Sequence, residues 1–246
     1  SPIPSRYPYS GAATLRHIET PLAAETVAIP TLVLYDSRVN VSSQYSVNSN
    51  VARTYRDNRA SIVRINTVDN VGDSAGSGFI VGKDGLIATG YHVVKDASSI
   101  RVRLENGKSY KATVRDLDVA KDLALLQIER EAPTEQFPVA VLEAATPDAP
   151  VNRKLVALGY PRSVEVVHVS EVTAKSNETL SHLPITGGLL AGEDVNRVVV
   201  KSVANVAKGN SGGPVLDADT GRVVGVVNLS NQVDTYFNPV EDLQRF

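Results

Sequence analysis

The sequence predicts an all-β protein built from two six-stranded antiparallel β-barrels behind an N-terminal extension. The first observation is a set of six short runs, rich in apolar and β-branched residues, between residues 61 and 128. The second is another set of six such runs between residues 154 and 237. The third is the segment between them, residues 130–152, which carries four prolines and little strand-like alternation. Six strands, a connection and six strands imply two barrels.

The first barrel is expected over about residues 59–130. The turn candidates Lys83-Asp84-Gly85 and Glu105-Asn106-Gly107 stand between neighbouring runs, where a hairpin needs residues that tolerate positive φ. The predicted strands are 61–67, 76–81, 86–89, 99–104, 109–116 and 123–128.

The second barrel is expected over about residues 153–238. Its predicted strands are 154–159, 164–174, 197–203, 214–217, 223–229 and 235–237. The tail, residues 239–246, is expected to close the domain as a short helix.

Residues 1–58 differ in composition from the barrel domain predicted over 59–246. Four of the 13 prolines fall within the first 21 residues, and five of the nine tyrosines occur by Tyr55. We expect an arm with one strand at 31–35 and a short helix near 51–59. A disordered tail is the alternative, because termini are often disordered unless they dock.

Composition excludes several function classes. The net charge is −2 and no long block of Lys and Arg appears, so neither nucleic acid nor an anionic membrane is an expected partner. The absence of Cys excludes disulfides, thiolate metal sites and a Cys nucleophile. No run of 18 apolar residues predicts a membrane span. The sequence also lacks Met, so we expect a processed mature protein or a fragment, which fits export after removal of a signal peptide.

The strongest chemical signal is Gly209-Asn210-Ser211-Gly212-Gly213-Pro214, which lies between two predicted strands. A serine nucleophile needs an exposed hydroxyl on a tight turn and backbone N–H groups directed at the developing oxyanion, and glycines permit both. A glycine-rich surface loop with an incidental serine is the alternative.

A base and an acid for this serine are found upstream. His92 follows a buried-looking strand, where it could be held at a barrel rim, although a lone histidine there is usually structural. Asp122 precedes the very apolar run 123–126. A carboxylate buried there is costly unless it is paired, and an imidazole N–H is a suitable partner. An ordinary solvated Asp at the start of a strand is the alternative, and Asp116 and Asp118 compete for the role.

The order His, Asp, Ser, with the sequence around each, resembles the chymotrypsin-like serine peptidases, and within them the HtrA/Deg branch. The resemblance covers about residues 59–246 and includes Gly76-Ser77-Gly78-Phe79-Ile80-Val81. It implies a chymotrypsin-like double barrel in which Ser211 attacks the peptide carbonyl, His92 transfers the proton and Asp122 fixes the imidazole tautomer. The N–H groups of Gly209 and Ser211 would then form the oxyanion hole.

Two departures from the family pattern stand out. Asn210 replaces the Asp that digestive and clotting enzymes pair with a new N-terminal ammonium, so activation by cleavage ahead of Ile62 is not expected. Gly90 and Tyr91 precede His92 where HtrA-like enzymes usually carry polar residues.

The resemblance also identifies a primary specificity pocket. Asn205, six residues before Ser211, would lie at its base, where an Asp selects Arg and Lys. The run that includes Asn228, Leu229 and Ser230 would form one wall, and Phe237 would approach from the other. Without a fixed negative charge, we expect a broad preference for small or medium aliphatic residues before the cut.

By analogy with HtrA-like enzymes, the expected substrates are unfolded or misfolded proteins, and the expected location is the bacterial periplasm or cell envelope. Such enzymes commonly carry peptide-binding PDZ domains after the peptidase, whereas this sequence stops at Phe246, so we expect them to be lacking or removed. Many assemble as trimers through an aromatic-rich N-terminal arm, and the tyrosines of residues 1–58 make that arm a candidate.

Two other functions compete with peptidase activity as interpretations of these residues. A catalytically idle peptidase fold that binds peptides or scaffolds a complex is the alternative, and a serine esterase is disfavoured because α/β-hydrolases order their triad Ser, Asp, His. The histidines show no metal-ligand spacing and serine-type hydrolysis needs no ion, so neither metal nor cofactor is expected; the four are His17, His92, His168 and His182.

Overall fold

Two closed six-stranded antiparallel barrels make up most of the fold, which confirms the predicted fold class. The computed structural model describes residues 31–36, 41–46, 49–70, 72–144, 151–161, 167–183, 190–203, 209–230 and 234–246. Within these residues, one apolar cluster fills each barrel and a third lies between the barrels.

The first barrel follows the predicted strands closely. Its strands are β3 (Ile62–Val68), β4 (Asp73–Ile80), β5 (Leu86–Thr89), β6 (Ser99–Leu104), β7 (Ser109–Asp118) and β8 (Leu123–Ile128). They pair in the order β3-β4-β5-β8-β7-β6. Strand β6 shows the alternation on which the strand prediction depends. Ile100, Val102 and Leu104 face the core. The residues between them, Arg101 and Arg103, point outward.

The second barrel pairs in the order β10-β11-β14-β13-β12-β9. Its strands are β9 (Lys154–Gly159), β10 (His168–Thr179), β11 (Val198–Val203), β12 (Pro214–Asp217), β13 (Val223–Ser230) and β14 (Asp234–Pro239). Strand β10 continues past the predicted end at residue 174, through a register shift between Ala174 and Ser176. This irregularity interrupts the alternation of side chains on which the prediction rested. The predicted C-terminal helix is present as α3 (Val240–Gln244).

The extension contributes one hairpin and one docked helix. Strand β1 (Thr31–Asp36) was predicted, whereas its antiparallel partner β2 (Val41–Ser46) lies in a serine-rich stretch that gave no strand signal. Helix α1 (Asn50–Asn58) is capped by Ser49, whose Oγ accepts from the backbone N–H of Ala52. Residues 1–30 lie outside the described residues, so self-association through the arm stays a prediction.

Helix α1 packs on the second barrel before the chain enters the first. Thr54 Oγ1 donates to the carbonyl of Ala218 at 3.1 Å, and Asn58 Nδ2 donates to that of Gly221 at 3.2 Å. A short 3₁₀ turn, Arg59–Ser61, then leads into β3. The helix therefore links the barrels.

Within the described part of the chain, no helix has the length and apolarity needed to cross a membrane.

The connection between the barrels is held to both of them. Its Ala140 N–H donates to Ile80 of the first barrel, and its Glu143 N–H donates to Val223 of the second, both at 2.8 Å. Arg153 then binds both carboxylate oxygens of Glu143 at 2.8 and 2.9 Å and Asp217 Oδ2 at 2.7 Å. This bidentate contact fastens the connection to β12.

Replacing Arg153 with Met is expected to lower the free energy of unfolding by about 1–2 kcal/mol, because charge-assisted hydrogen bonds are lost at a partly exposed site. Burial alone would raise the pKa of Asp217, but hydrogen bonds from Thr220 N–H and from Arg153 outweigh it, and the pKa lies below its ordinary value. The stabilisation is therefore complete above about pH 4 and is lost as the pH falls through the depressed pKa. Denaturant unfolding of both proteins between pH 2 and 7 tests this, since their difference should shrink in acid.

Arg222 is exposed and provides the control, since Arg222→Met removes the same charge from the neighbouring turn. An equal loss of stability in both variants would contradict a specific role for Arg153.

Candidate active site

Pairing of β5 with β8 brings the candidate base and acid to one end of the first barrel. Thr89, the last residue of β5, pairs with Ala124 near the start of β8. His92 follows β5 on the single-turn helix α2 (Tyr91–Val94), whose Val94 is buried in the barrel. Asp122 directly precedes β8, so the two residues face each other across the sheet.

Asp122 uses both carboxylate oxygens on His92. Oδ2 lies 2.7 Å from His92 Nδ1, and Oδ1 accepts the backbone N–H of His92 at 2.8 Å. The side chain of Asp122 is only 1% exposed, against 26% for that of His92. A carboxylate can only accept, so Nδ1 carries the proton and Nε2 is left as the basic nitrogen. This is the arrangement that a general base requires.

The backbone of Asp122 is held in an uncommon conformation. Its φ is +53°, in the left-handed region that Asp tolerates better than most residues. Its carbonyl accepts the N–H of Tyr91 at 3.2 Å. The competing acids are engaged locally, since Asp116 Oδ1 accepts from Leu117 N–H and Asp118 Oδ1 from Lys121 N–H. Of the three, the described contacts bring Asp122 to His92.

The serine loop belongs to the second barrel and lies against the first. The carbonyl of Ser211 accepts the N–H of Ser77 on β4 at 2.9 Å. Gly212 N–H donates to Val227 at 2.8 Å, and Val227 N–H donates to Gly213 at 2.9 Å. The loop is therefore fixed from both sides.

Gly212 sets how closely the loop approaches the strand that carries His92. Its φ is +82°, and a Cβ at this position would lie well inside van der Waals contact of Thr89 Oγ1 and the Ser77 carbonyl. The same Cβ would be 2.9 Å from the backbone nitrogen of Gly90. Thr89 and Gly90 directly precede the His92 turn, so the absence of a side chain brings the loop against that turn.

Ser77 joins three segments at this point. Its Oγ donates to the Gly209 carbonyl at 2.6 Å and accepts the Tyr160 N–H at 2.8 Å, in addition to the Ser211 contact. Burial raises the pKa of Tyr160 to about 12, so its phenol stays neutral. In the sequence, Ser77 stands within the family-like motif that begins at Gly76. No sequence signal assigned it this role.

The predicted oxyanion donors, the N–H groups of Gly209 and Ser211, lie on a partly buried turn. Gly209 has a φ of +106°, and it and Asn210 are buried, whereas Ser211 is partly exposed. Asn210 Nδ2 and Oδ1 are buried and have no partner among the described residues. Residues 204–208 are outside the described residues, so the direction of the Gly209 N–H as an oxyanion donor stays a prediction.

Of the predicted specificity residues, Asn228 and Phe237 have described side chains. Asn205 and the side chains of Leu229 and Ser230 lie outside what is described. The Asn228 side chain is buried and donates to Asn238 Oδ1 at 3.1 Å, and the Phe237 side chain packs inside the second barrel. Asn228 occupies the register shift between Val227 and Leu229, which the sequence could not reveal. The described contacts therefore assign neither Asn228 nor Phe237 to an open pocket wall.

No cluster of three or more potential metal ligands occurs in the described ranges.

Gly212→Ala is expected to cost about 2–4 kcal/mol of unfolding free energy, because the clash with the Ser77 carbonyl adds to the left-handed backbone strain. Gly107→Ala is the matched control, since Gly107 has a φ of +86° but open space around its Cβ position. It should lose only about 1 kcal/mol. Urea denaturation of both variants measures the difference, and equal losses would show that the loop has room for a side chain.

Comparison with known proteins agrees with the double-barrel fold. The family model described as "Trypsin-like peptidase domain" matches residues 76–226. Rat "Serine protease HTR4" is 36% identical over 163 residues, which cover 66% of this chain and 31% of that protein. Human "Serine protease HTRA4" is 37% identical over 155 residues, covering 63% and 30%. Bovine "Serine protease HTRA2, mitochondrial" is 33% identical over 153 residues, covering 62% and 31%.

The chain thus spans about a third of the length of these curated relatives. The range matched by the family model contains the positions of His92, Asp122 and Ser211. The double barrel, the site geometry and these matches together show that the chain belongs to the trypsin-like peptidase family, with similarity to the HtrA serine proteases.

Proposed function

We propose that this chain is a serine endopeptidase with Ser211 as nucleophile, His92 as general base and Asp122 as the acid that orients it. The observation that carries the proposal is the double contact of Asp122 with His92, which leaves Nε2 as the basic nitrogen. The His92 turn begins at Gly90, which Gly212 of the serine loop approaches closely. Membership of the trypsin-like peptidase family supports it.

In the proposed reaction, Ser211 Oγ bonds to the carbonyl carbon of the substrate while its proton passes to His92 Nε2. The C–N bond then breaks, and His92 returns the proton to the leaving amine. A water molecule attacks the resulting ester by the same proton route, which releases the carboxylic acid and restores Ser211. Asp122 stabilises the imidazolium formed in each half, and the N–H groups of Gly209 and Ser211 would stabilise the oxyanion.

Ser211→Ala and His92→Ala are each expected to abolish peptide hydrolysis without unfolding the protein, because each removes a group that the bond-breaking step requires. Asp122→Asn should lower kcat by about 10⁴-fold, since an amide can hold the imidazole in the wrong tautomer. Initial rates on a fluorogenic peptide, with circular dichroism to verify folding, provide the measurement.

Asp116→Asn and Asp118→Asn serve as matched controls, because their side chains bind local backbone N–H groups. They should retain nearly all activity. If either is as damaging as Asp122→Asn, the acid is misassigned. If wild type is not labelled by a fluorophosphonate at Ser211, the protein is an idle peptidase fold.

The proposed substrates are unfolded proteins, cut after small or medium aliphatic residues. Asn205 offers no fixed negative charge to a cationic side chain, whose desolvation would be uncompensated. An apolar pocket distinguishes neighbouring aliphatic side chains by only about 1–3 kcal/mol, so the preference should be broad.

Mass spectrometry of the fragments of a denatured, disulfide-free protein should therefore show cuts after residues such as Ala, Val and Leu. The folded form of the same protein and the Ser211→Ala variant are the controls. Cleavage mainly after Arg or Lys would refute the pocket assignment, and equal cleavage of folded substrate would refute the preference for unfolded chains.

A further inference from the structure

The turn that carries Asp122 is held in place by the second barrel. The carbonyls of the two residues before Asp122 both accept hydrogen bonds from residues of the second barrel. Ala120 O accepts the N–H of Asp194 at 2.9 Å, and Lys121 O accepts Asn238 Nδ2 at 2.8 Å. At the far end of Lys121, Nζ lies 3.4 Å from Asp242 Oδ1 on α3. The candidate acid of the first barrel thus has its backbone fastened to the opposite half of the molecule.

Asn238 is itself locked in one orientation. It is fully buried, and its Oδ1 accepts from both Arg197 Nη1 and Asn228 Nδ2. Two donors on one atom identify it as the oxygen of the amide, so the NH₂ group must face Lys121 O. The contact to the acid turn therefore follows from the surroundings of Asn238.

Arg197 is the anchor of this arrangement. Its side chain is 0% exposed, and it pairs through Nη2 with Glu193, whose side chain is 4% exposed. Its backbone N–H also donates to Asp194, the residue that binds Ala120. Both contacts to the acid turn therefore trace back to Arg197. A buried ion pair is costly to desolvate and is weak evidence for stability alone, whereas fixing one geometry is a role for which such groups are suited.

We propose that Asn238, oriented by Arg197, is a positioning residue for Asp122. The inference rests on the proposed function, in which Asp122 is the acid of the triad. Asn238 touches neither His92 nor the substrate in this role. It fixes the Lys121 carbonyl, and through it the left-handed backbone of Asp122, so that both carboxylate oxygens stay on His92. A displacement of the turn would disturb both contacts together.

Asn238→Asp provides the sharpest test. The carboxylate keeps an acceptor for Arg197 and for Asn228, but it places an oxygen against Lys121 O where an N–H had been. The protein should fold, kcat should fall about 10- to 100-fold, and KM should stay within about two-fold, because the imidazole is misoriented while the substrate cleft is intact. In Asn238→Ser the shorter side chain cannot reach Lys121 O, so kcat should again fall while KM stays nearly unchanged.

A second readout is independent of turnover. The proton shared by His92 Nδ1 and Asp122 should give a far-downfield NMR resonance in the wild-type protein. In both Asn238 variants this resonance should shift or broaden. Ser202→Ala is the matched control. Ser202 Oγ donates a buried hydrogen bond from β11 to Thr235 O on β14, the strand that carries Asn238, and the described contacts of this hydroxyl do not include the acid turn. It should change neither kcat per folded molecule nor the resonance.

The outcomes separate the two proposals. An inactive wild-type protein would defeat the proposed function, and the resonance would still decide the positioning role. An active wild type, with wild-type kcat and an unchanged resonance in a folded Asn238 variant, would overturn the positioning role alone. Loss of activity only in proportion to the unfolded fraction, or failure of both variants to fold, would assign Asn238 to stability and also overturn it.

Discussion

The buried carboxylate of Asp122 is the constraint around which the site is arranged. A carboxylate removed from water must find donors, and here both oxygens are used by one residue, His92. Because one of these donors is a backbone N–H and the other a ring nitrogen, the contact fixes the position of α2 and the orientation of the imidazole together. The backbone of Asp122 is held at a φ of +53°, and such a conformation persists only where the surroundings determine it. The hydrogen bonds to the carbonyls of Ala120, Lys121 and Asp122 supply that constraint.

The second constraint is steric and acts between the barrels. Ser211 is carried by the second barrel and His92 by the first, so their chemistry depends on a close approach of two sheets. Gly212 permits that approach because no side chain stands between its Cα and the Ser77 carbonyl. Ser77 then fixes the approach, with its N–H on Ser211 and its hydroxyl on Gly209. A larger residue at either position would separate the groups that the proposed reaction must bring together.

The sequence predicted the features that depend on local pattern. Alternation identified β6 from Ile100, Val102 and Leu104, and the apolar run after Asp122 identified β8 as a buried strand. It failed where pairing, not pattern, decides the structure. Strand β2 gains its strand character from β1, β10 extends through an irregular register, and the pairing of β13 with β14 shifts register at Asn228.

The partners of the candidate site show the same limit. His92, Asp122 and Ser211 stand in informative local sequences. Ser77 and Asn238, by contrast, act across more than a hundred residues of chain and across the barrel boundary, and each is unremarkable in its own strand. Arg197, which precedes β11, acts on Asn238 from 41 residues away. A polar residue on a strand predicts an exposed position. Only the fold shows that the outward face of this part of the second barrel meets the first barrel, where that residue becomes buried and must be paired.

The interface between the barrels therefore combines two kinds of interaction with different physical consequences. Its apolar cluster joins Phe79 and Leu123 of the first barrel to Val156 and Leu158 of the second, and this burial holds the halves together without favouring one orientation strongly. The hydrogen bonds at the rim, from Ser77 to the serine loop and from Asn238 to the acid turn, depend on distance and angle and so select one orientation. Apolar contacts therefore hold the barrels together, and buried hydrogen bonds set their relative orientation. Substitutions in the apolar cluster and substitutions of the hydrogen-bonding residues should have different effects. Loss of an apolar contact lowers stability with the geometry of the remaining folded molecules unchanged, whereas loss of a rim hydrogen bond alters the geometry of molecules that remain folded.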